Sequence, residues 1–318
     1  MGFDGLLGNA RLKENLKGSL SRDHISHFYL ISGPAGSGKH TLARLLSAAI
    51  LCKDRDRPCL RCLSCRKVLG GNHPDLITVD DPDKKTVSVK TVREAREDTF
   101  IRPNEADHKI YVIPRAQDMR MEAQNALLKI LEEPPQYGVF LLLTDNPDKM
   151  LPTIRSRCTE LDLQPLSRNL MMPVLREKFP EASGEDLEAA CLRSGGFLGQ
   201  AQELLQSGDE NEPQLQAFAE AFSTQDPMGL ARLLVPLERW NRDQLGKFLR
   251  SCRELCEEAL LSKAGQHSLS PLSRRLSGSR SSRELYGAAQ ALNKGETYLL
   301  SNVSPAAVCG YLLWALRV

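Results

Sequence analysis

Short apolar runs alternate with helically spaced apolar positions through the first half of the chain. The runs are Phe28 to Ile31, Leu76 to Val79, Lys109 to Ile113 and Val139 to Leu143, and a short strand over Thr159 to Leu163 follows them. Runs of this length and content read as strands. Between them, Leu42, Ala43, Leu45, Leu46 and Ala49 recur at helical spacing, and so do Ala123, Ala126, Leu127, Ile130 and Leu131. The same reasoning predicts an amphipathic helix within residues 1–27, from Leu6, Leu7, Leu12, Leu16 and Leu20, and another from Lys90 to about Phe100. The helix from Met119 to about Leu131 is expected to stop at Glu132-Glu133-Pro134-Pro135, because proline cannot continue the hydrogen-bond ladder. Strands alternating with helices imply an α/β domain whose parallel sheet is covered on both faces.

Strand signals fade after Gln164. Residues 166–206 read as a small helical unit with a turn at Gly195-Gly196. Residues 207–318 read as a helical domain, marked by Leu230, Leu233, Leu234 and Leu237 and by Leu245, Phe248, Leu249, Cys252 and Leu255. The expected division is therefore 1–165, 166–206 and 207–318. The serine-rich, basic stretch 268–283 is expected to be a mobile surface loop.

Composition narrows the function classes. A hydrophobic content of 41% is enough for real cores, and a net charge of +2 implies no global attraction to nucleic acid, so any such contact must be local. No secretory signal and no run of about 18 apolar residues is visible, so a soluble cytoplasmic protein away from membranes is expected. Nine cysteines in such a chain point to metal ligands or free thiols rather than disulfides.

The first candidate site is Gly33-Pro34-Ala35-Gly36-Ser37-Gly38-Lys39, between the strand ending at Ile31 and the helix containing Leu42. Strand, glycine turn and helix are the context of a phosphate-binding loop. Its backbone N–H groups and the helix N-terminus cradle the anion while the lysine reaches the terminal phosphates. The pattern G-x-x-x-x-G-K-[ST] wants a hydroxyl after the lysine to hold Mg²⁺, but this chain has His40. Thr41 comes one residue later, about 100° further round the helix. The bland alternative is a turn that merely packs a strand on a helix. Acidic residues that would hold Mg²⁺ and activate water after the Lys109–Ile113 strand are replaced by Pro114 and Arg115, and the nearby Asp118 reads as charge at a helix start.

The second candidate is Cys52, Cys59, Cys62 and Cys65, spaced C-x6-C-x2-C-x2-C within residues 52–65. Four thiolates with two x2 spacings suit a closed tetrahedral Zn²⁺ site that leaves no position open for catalysis, so the metal is expected to be structural. A redox pair is the rival reading.

These features form an ordered set with His73-Pro74-Asp75-Leu76, Asn125-Ala126-Leu127-Leu128-Lys129, Leu131-Glu132-Glu133-Pro134-Pro135 and Thr153-Ile154-Arg155-Ser156-Arg157-Cys158. Over residues 1 to about 205 the set resembles the bacterial DNA polymerase III clamp-loader AAA+ family of γ/τ and δ′ subunits, and is most similar to its δ′ branch. The C-terminal part fits by length and helicity only. The resemblance implies an AAA+ P-loop sheet domain with a zinc insertion, a small helical lid and an all-α collar for oligomerisation. Family ATPases have a hydroxyl after the loop lysine, an acidic pair after the Ile110–Ile113 strand and a lid arginine near Gly195–Ala201. Here those positions hold His40, Pro114-Arg115 and Gln200, while Ser156-Arg157-Cys158 is intact.

In the family that arginine acts in trans on nucleotide held by a neighbouring subunit. The resemblance therefore implies Arg157 as an arginine finger, with Arg155 holding the interface. Gly33, Gly36, Gly38, Lys39 and Thr41 become a weak, vestigial site for ATP or ADP without Mg²⁺. The implied partners are the γ/τ and δ subunits in a hetero-pentamer, the sliding clamp, and primer–template DNA through the complex. Three alternatives stay open. One is a γ/τ-like ATPase using Thr41 and Asp118. The others are a small-molecule kinase and a zinc-stabilised scaffold in repair or recombination.

Overall fold

The computed structural model describes residues 2–81, 86–206, 212–265 and 270–316. Five strands form one sheet: β1 (Phe28–Ser32), β2 (Leu76–Thr78), β3 (Lys109–Ile113), β4 (Gly138–Thr144) and β5 (Thr159–Asp162). Their order is β2-β3-β4-β1-β5 and every neighbouring pair is parallel. Helices α1 (Ala10–Ser21), α2 (Lys39–Leu51), α3 (Leu63–Leu69), α4 (Val89–Asp98) and α5 (Met121–Glu132) connect and cover them.

Side chains alternate across a strand, so each strand feeds two cores. Tyr29, Ile31, Leu141 and Leu143 pack with Leu16 and Leu20 of α1, Leu42 and Leu46 of α2 and Val68 of α3. Phe28, Leu30, Phe140 and Leu142 pack on the other face with Val92 of α4 and Leu127 and Ile130 of α5. Three rings stack across that face, Phe28 on Phe140 at 4.9 Å and Tyr111 on Phe140 at 4.7 Å between centroids. Lys109 is buried at the start of β3, and its charge is met by Asp98 at 2.8 Å.

Helix α5 starts two residues later than the hydrophobic spacing suggests. Ala116–Asp118 form a 3-10 turn, after which Met119 and Arg120 have extended backbone. Asp118 therefore belongs to that turn and not to the helix. The helices that follow are α6 (Pro152–Arg155), α7 (Arg168–Lys178), α8 (Gly184–Arg193), α9 (Leu198–Gln206), α10 (Glu212–Ser223), α11 (Pro227–Leu237), α12 (Arg242–Lys263), α13 (Pro271–Ser279), α14 (Ser282–Leu300) and α15 (Pro305–Ala315).

Packing divides the chain into two compact units, Met1–Glu177 with Ser194–Gln202, and Lys178–Arg193 with Glu203–Val318. The second has its own core, which includes Phe218, Phe222, Phe248, Leu249, Leu292 and Leu312.

The stretch expected to be a mobile loop is mostly helical. Residues 268 and 269 lie outside the described residues. Ser270 Oγ accepts the Leu272 N–H, Pro271 opens α13, and Leu276 is fully buried. Ser281 and Glu284 form a capping box that starts α14. The serines that made the stretch look like a loop are thus helix caps and turn formers.

Candidate functional site

Residues 33–38 leave β1 at the carboxyl edge of the sheet, where open α/β folds place ligands. The Gly33 N–H donates to Thr144 O at 3.2 Å, which ties the loop to β4. Gly36 has φ +74°, and a Cβ there would lie 2.4 Å from Gln200 N and 2.8 Å from Gly199 C. Only glycine satisfies both the left-handed backbone and that close approach. The approaching segment is the start of α9, and Gly199 N–H donates to Gly36 O at 2.9 Å. The backbone of Gly199 and Gln200 thus meets the loop, and Gln200, which stands where the resemblance expects a lid arginine, lies at this contact.

Lys39 opens α2 directly after Gly38 and is 6% exposed. A buried ammonium needs partners. Its Nζ donates to Gly33 O at 2.6 Å and Pro34 O at 2.8 Å and pairs with Asp145 Oδ1 at 2.6 Å. The lysine is thus turned back onto its own loop and onto the β4 tip. Asp145 was no more than a strand end in the sequence. Its role depends on β4 lying beside β1, and the apolar pattern does not give strand order. His40 is held below the usual imidazole range by desolvation and by the Lys39 charge, so it is neutral near pH 7. Thr41 is exposed.

The tip of β3 carries Arg115 where a hydrolase would carry an acid. Its guanidinium donates to Asp80 Oδ1 at 2.7 Å and to Asp81 O at 2.9 Å. These contacts hold the Arg115 pKa above its ordinary value, with the Asp80 hydrogen bond as the main cause. This tip therefore carries a guanidinium paired with Asp80 where a metal ligand would stand.

Arg157 follows α6 and is exposed. Its Nη1 donates to Thr153 O at 3.0 Å, and it meets no carboxylate among the described residues. The nearby acids are taken by Arg155, which pairs with Asp148 at 3.0 Å and Glu160 at 3.2 Å. Arg155 is thereby tethered within this chain, whereas Arg157 is presented to solvent.

Cys52, Cys59, Cys62 and Cys65 converge, with all four Sγ atoms within 4.8 Å of one another. Sγ separations of 3.6 Å (Cys52 to Cys59), 3.9 Å (Cys52 to Cys62) and 4.0 Å (Cys59 to Cys65) match the edges of a tetrahedron built on Zn–S bonds of about 2.3 Å. The N–H groups of Cys62 and Cys65 point at the sulfurs of Cys59 and Cys62, each at 3.4 Å. Backbone N–H groups of Arg61 and Cys62 pull the Cys59 thiol down to about 6, towards thiolate, while burial pushes Cys52 and Cys65 up. A divalent cation would ionise those buried thiols, so the donor set fits zinc held by four protein ligands.

The cysteine module is anchored to the sheet through His73. Its Nδ1 accepts the Asp75 N–H at 3.1 Å, so Nε2 bears the proton and donates to Ser64 Oγ at 3.0 Å. Ser64 in turn donates to Leu51 O at 2.9 Å. The buried Asp75 carboxylate accepts N–H groups of Glu105 at 2.8 Å and Ala106 at 3.0 Å.

This set of features lies almost wholly inside one recognised stretch. The family described as "DNA polymerase III, delta subunit" matches residues 8–167. The chain belongs to that family. Among its relatives, the DNA polymerase III subunit delta' of Bacillus subtilis is 37% identical over 157 residues, spanning 49% of this chain and 47% of that protein. Subunit tau of the same organism is 34% identical over 164 residues, spanning 51% of this chain and 29% of that protein. The chain thus covers less than half the length of either relative. A solved DNA polymerase III gamma-subunit-related protein from Thermotoga maritima aligns with 96% of this chain and 98% of its own, at 16% identity and a TM-score of 0.49. The bacterial clamp-loader AAA+ family implied by the motifs is therefore the family to which this chain belongs. Among the described residues, no helix is long and apolar enough to cross a membrane.

Proposed function

We propose that this chain is a δ′-like subunit of the DNA polymerase III clamp loader. In this reading it does not hydrolyse ATP itself and presents Arg157 to nucleotide bound on a neighbouring subunit. The observation that carries the reading is the Arg157 guanidinium, exposed and free of carboxylates among the described residues beside a fully tethered Arg155. Phosphoryl transfer is mostly positioning and charge stabilisation, and a guanidinium supplied in trans needs no metal or base of its own.

The chain's own loop supports the silent half of the proposal. Arg115 stands where metal-binding acid is needed, His40 replaces the hydroxyl, and Lys39 is held by Asp145. Gly33, Gly36, Gly38, Lys39 and Thr41 then form at most a weak, Mg²⁺-free nucleotide site. Zinc on Cys52, Cys59, Cys62 and Cys65 staples the module between α2 and α3 and takes no part in chemistry. Residues 166–206 act as a lid and 207–318 as a collar. The protein works in the cytoplasm in a hetero-pentamer with γ/τ and δ, which places the sliding clamp on primed DNA.

Reconstitution of the complex with Arg157→Ala tests this. The variant is expected to fold and assemble normally, while the site it faces loses about 10³-fold in ATP turnover. Unchanged turnover refutes the finger. ATP hydrolysis by the isolated chain, abolished by Lys39→Ala, refutes the silent loop in favour of a γ/τ-like ATPase.

A further inference from the structure

We infer that Asp145 is a built-in occupant of the phosphate site: its carboxylate neutralises Lys39 in place of a phosphate oxygen, and an entering phosphate must displace it. The inference rests on the reading of residues 33–38 as a phosphate cradle.

Lys39 is almost wholly buried, so water cannot satisfy its ammonium, and the two loop carbonyls supply no negative charge. Asp145 Oδ1 supplies that charge at 2.6 Å. The acid is placed there by the sheet. β4 is paired with β1 through Ile31 opposite Leu143 and Ser32 opposite Thr144, so the residue after Thr144 emerges beside the glycine loop. The turn that carries it is fixed, because Thr144 Oγ1 donates to Asn146 O at 2.9 Å and accepts the Asn146 N–H at 3.1 Å. The Asp145 side chain is nonetheless 47% exposed, so solvent can receive its carboxylate when a phosphate takes over the buried Lys39 ammonium. The loop is also held in its present shape from the other side by the Gly199 N–H on Gly36 O. Two anions cannot share one buried ammonium at contact distance without strong repulsion, so phosphate and Asp145 compete.

Apparent affinity falls by the fraction of molecules in which Lys39 is free. The test measures binding of pyrophosphate and of a fluorescent ADP analogue, without Mg²⁺, to the full chain. Wild type is compared with Asp145→Asn, Asp145→Ala and the double variant Asp145→Asn/Lys39→Ala. Both single variants are expected to bind about tenfold more tightly than wild type, and the double variant to lose that gain. Two variants guard against a local folding defect in either. Equal binding by wild type and the single variants, lost in the double variant, overturns the role of Asp145 and leaves the cradle standing. A gain that survives removal of Lys39 also overturns it. Absence of millimolar binding by every variant overturns the cradle and the inference together.

Discussion

Gly36 and Gly199 touch backbone to backbone, and each excludes a side chain on the other. A Cβ at Gly199 would lie 2.5 Å from Gly36 Cα, just as one at Gly36 would meet Gln200 N at 2.4 Å. Gly71 offers an internal control, since it has nearly the same φ, +73° against +74°, with nothing within 4 Å of a built Cβ. Gly71→Ala should therefore show the conformational cost alone, about 1–2 kcal/mol for a left-handed residue. Gly36→Ala should add the clash and cost at least about 1 kcal/mol more. Urea denaturation of the two variants measures the difference, and equal losses would show that the loop and the start of α9 are apart in solution. The sequence announced Gly36 through its motif but was silent on Gly199. A glycine chosen for contact looks the same as one chosen for a turn until the chain is folded.

At the scale of elements, the helical unit turns on an arginine that the sequence placed in a loop. Arg280 is buried between α13 and α14, where its Nε donates to Phe222 O at the end of α10 at 2.7 Å. The guanidinium also lies 4.4 Å from the centroid of the Phe222 ring and pairs with Glu284 at 2.7 Å. A cation at a helix C-terminus meets its unpaired carbonyls, so one side chain links three helices. Glu284 is pulled from 4.5 to about 2, first by its hydrogen bonds to Ser281 and then by Arg280. Its folded-state value is depressed, so its contribution is complete above about pH 4.5 and is lost as pH falls towards 2. Glu284→Gln should therefore destabilise the unit clearly at pH 6 and less at pH 3. Chemical denaturation of both proteins at the two pH values reads this, and a penalty that grows in acid would contradict the assignment. Serine and arginine in low-complexity runs mimic disorder because composition alone does not register capping geometry.

For the whole molecule, the five strands, the parallel sheet and the clustered cysteines could be read from period and spacing, because each depends on neighbours close in the chain. Strand order could not, and with it went the meeting of Lys39 with Asp145, which lie more than a hundred residues apart in the chain. Those long-range contacts are confined within one unit, and each unit has its own core: residues from Phe3 to Leu163 build the two sheet cores, and residues from Leu215 to Leu316 build the helical one. The four cysteines lie entirely in the first. A ligand that binds only the folded state stabilises the unit that contains its site, and zinc cannot be held by an unfolded module with comparable affinity. Calorimetry of the zinc-loaded chain should accordingly show two transitions, as separate cores allow. Stripping the metal with a strong chelator, or replacing Cys62 with serine, should lower the transition of the sheet unit by several degrees and reduce bound zinc, while the helical transition keeps its position. Both transitions moving together would mean that the units unfold as one. If neither moves in a chelated sample proven free of zinc, the four sulfurs do not hold a structural metal.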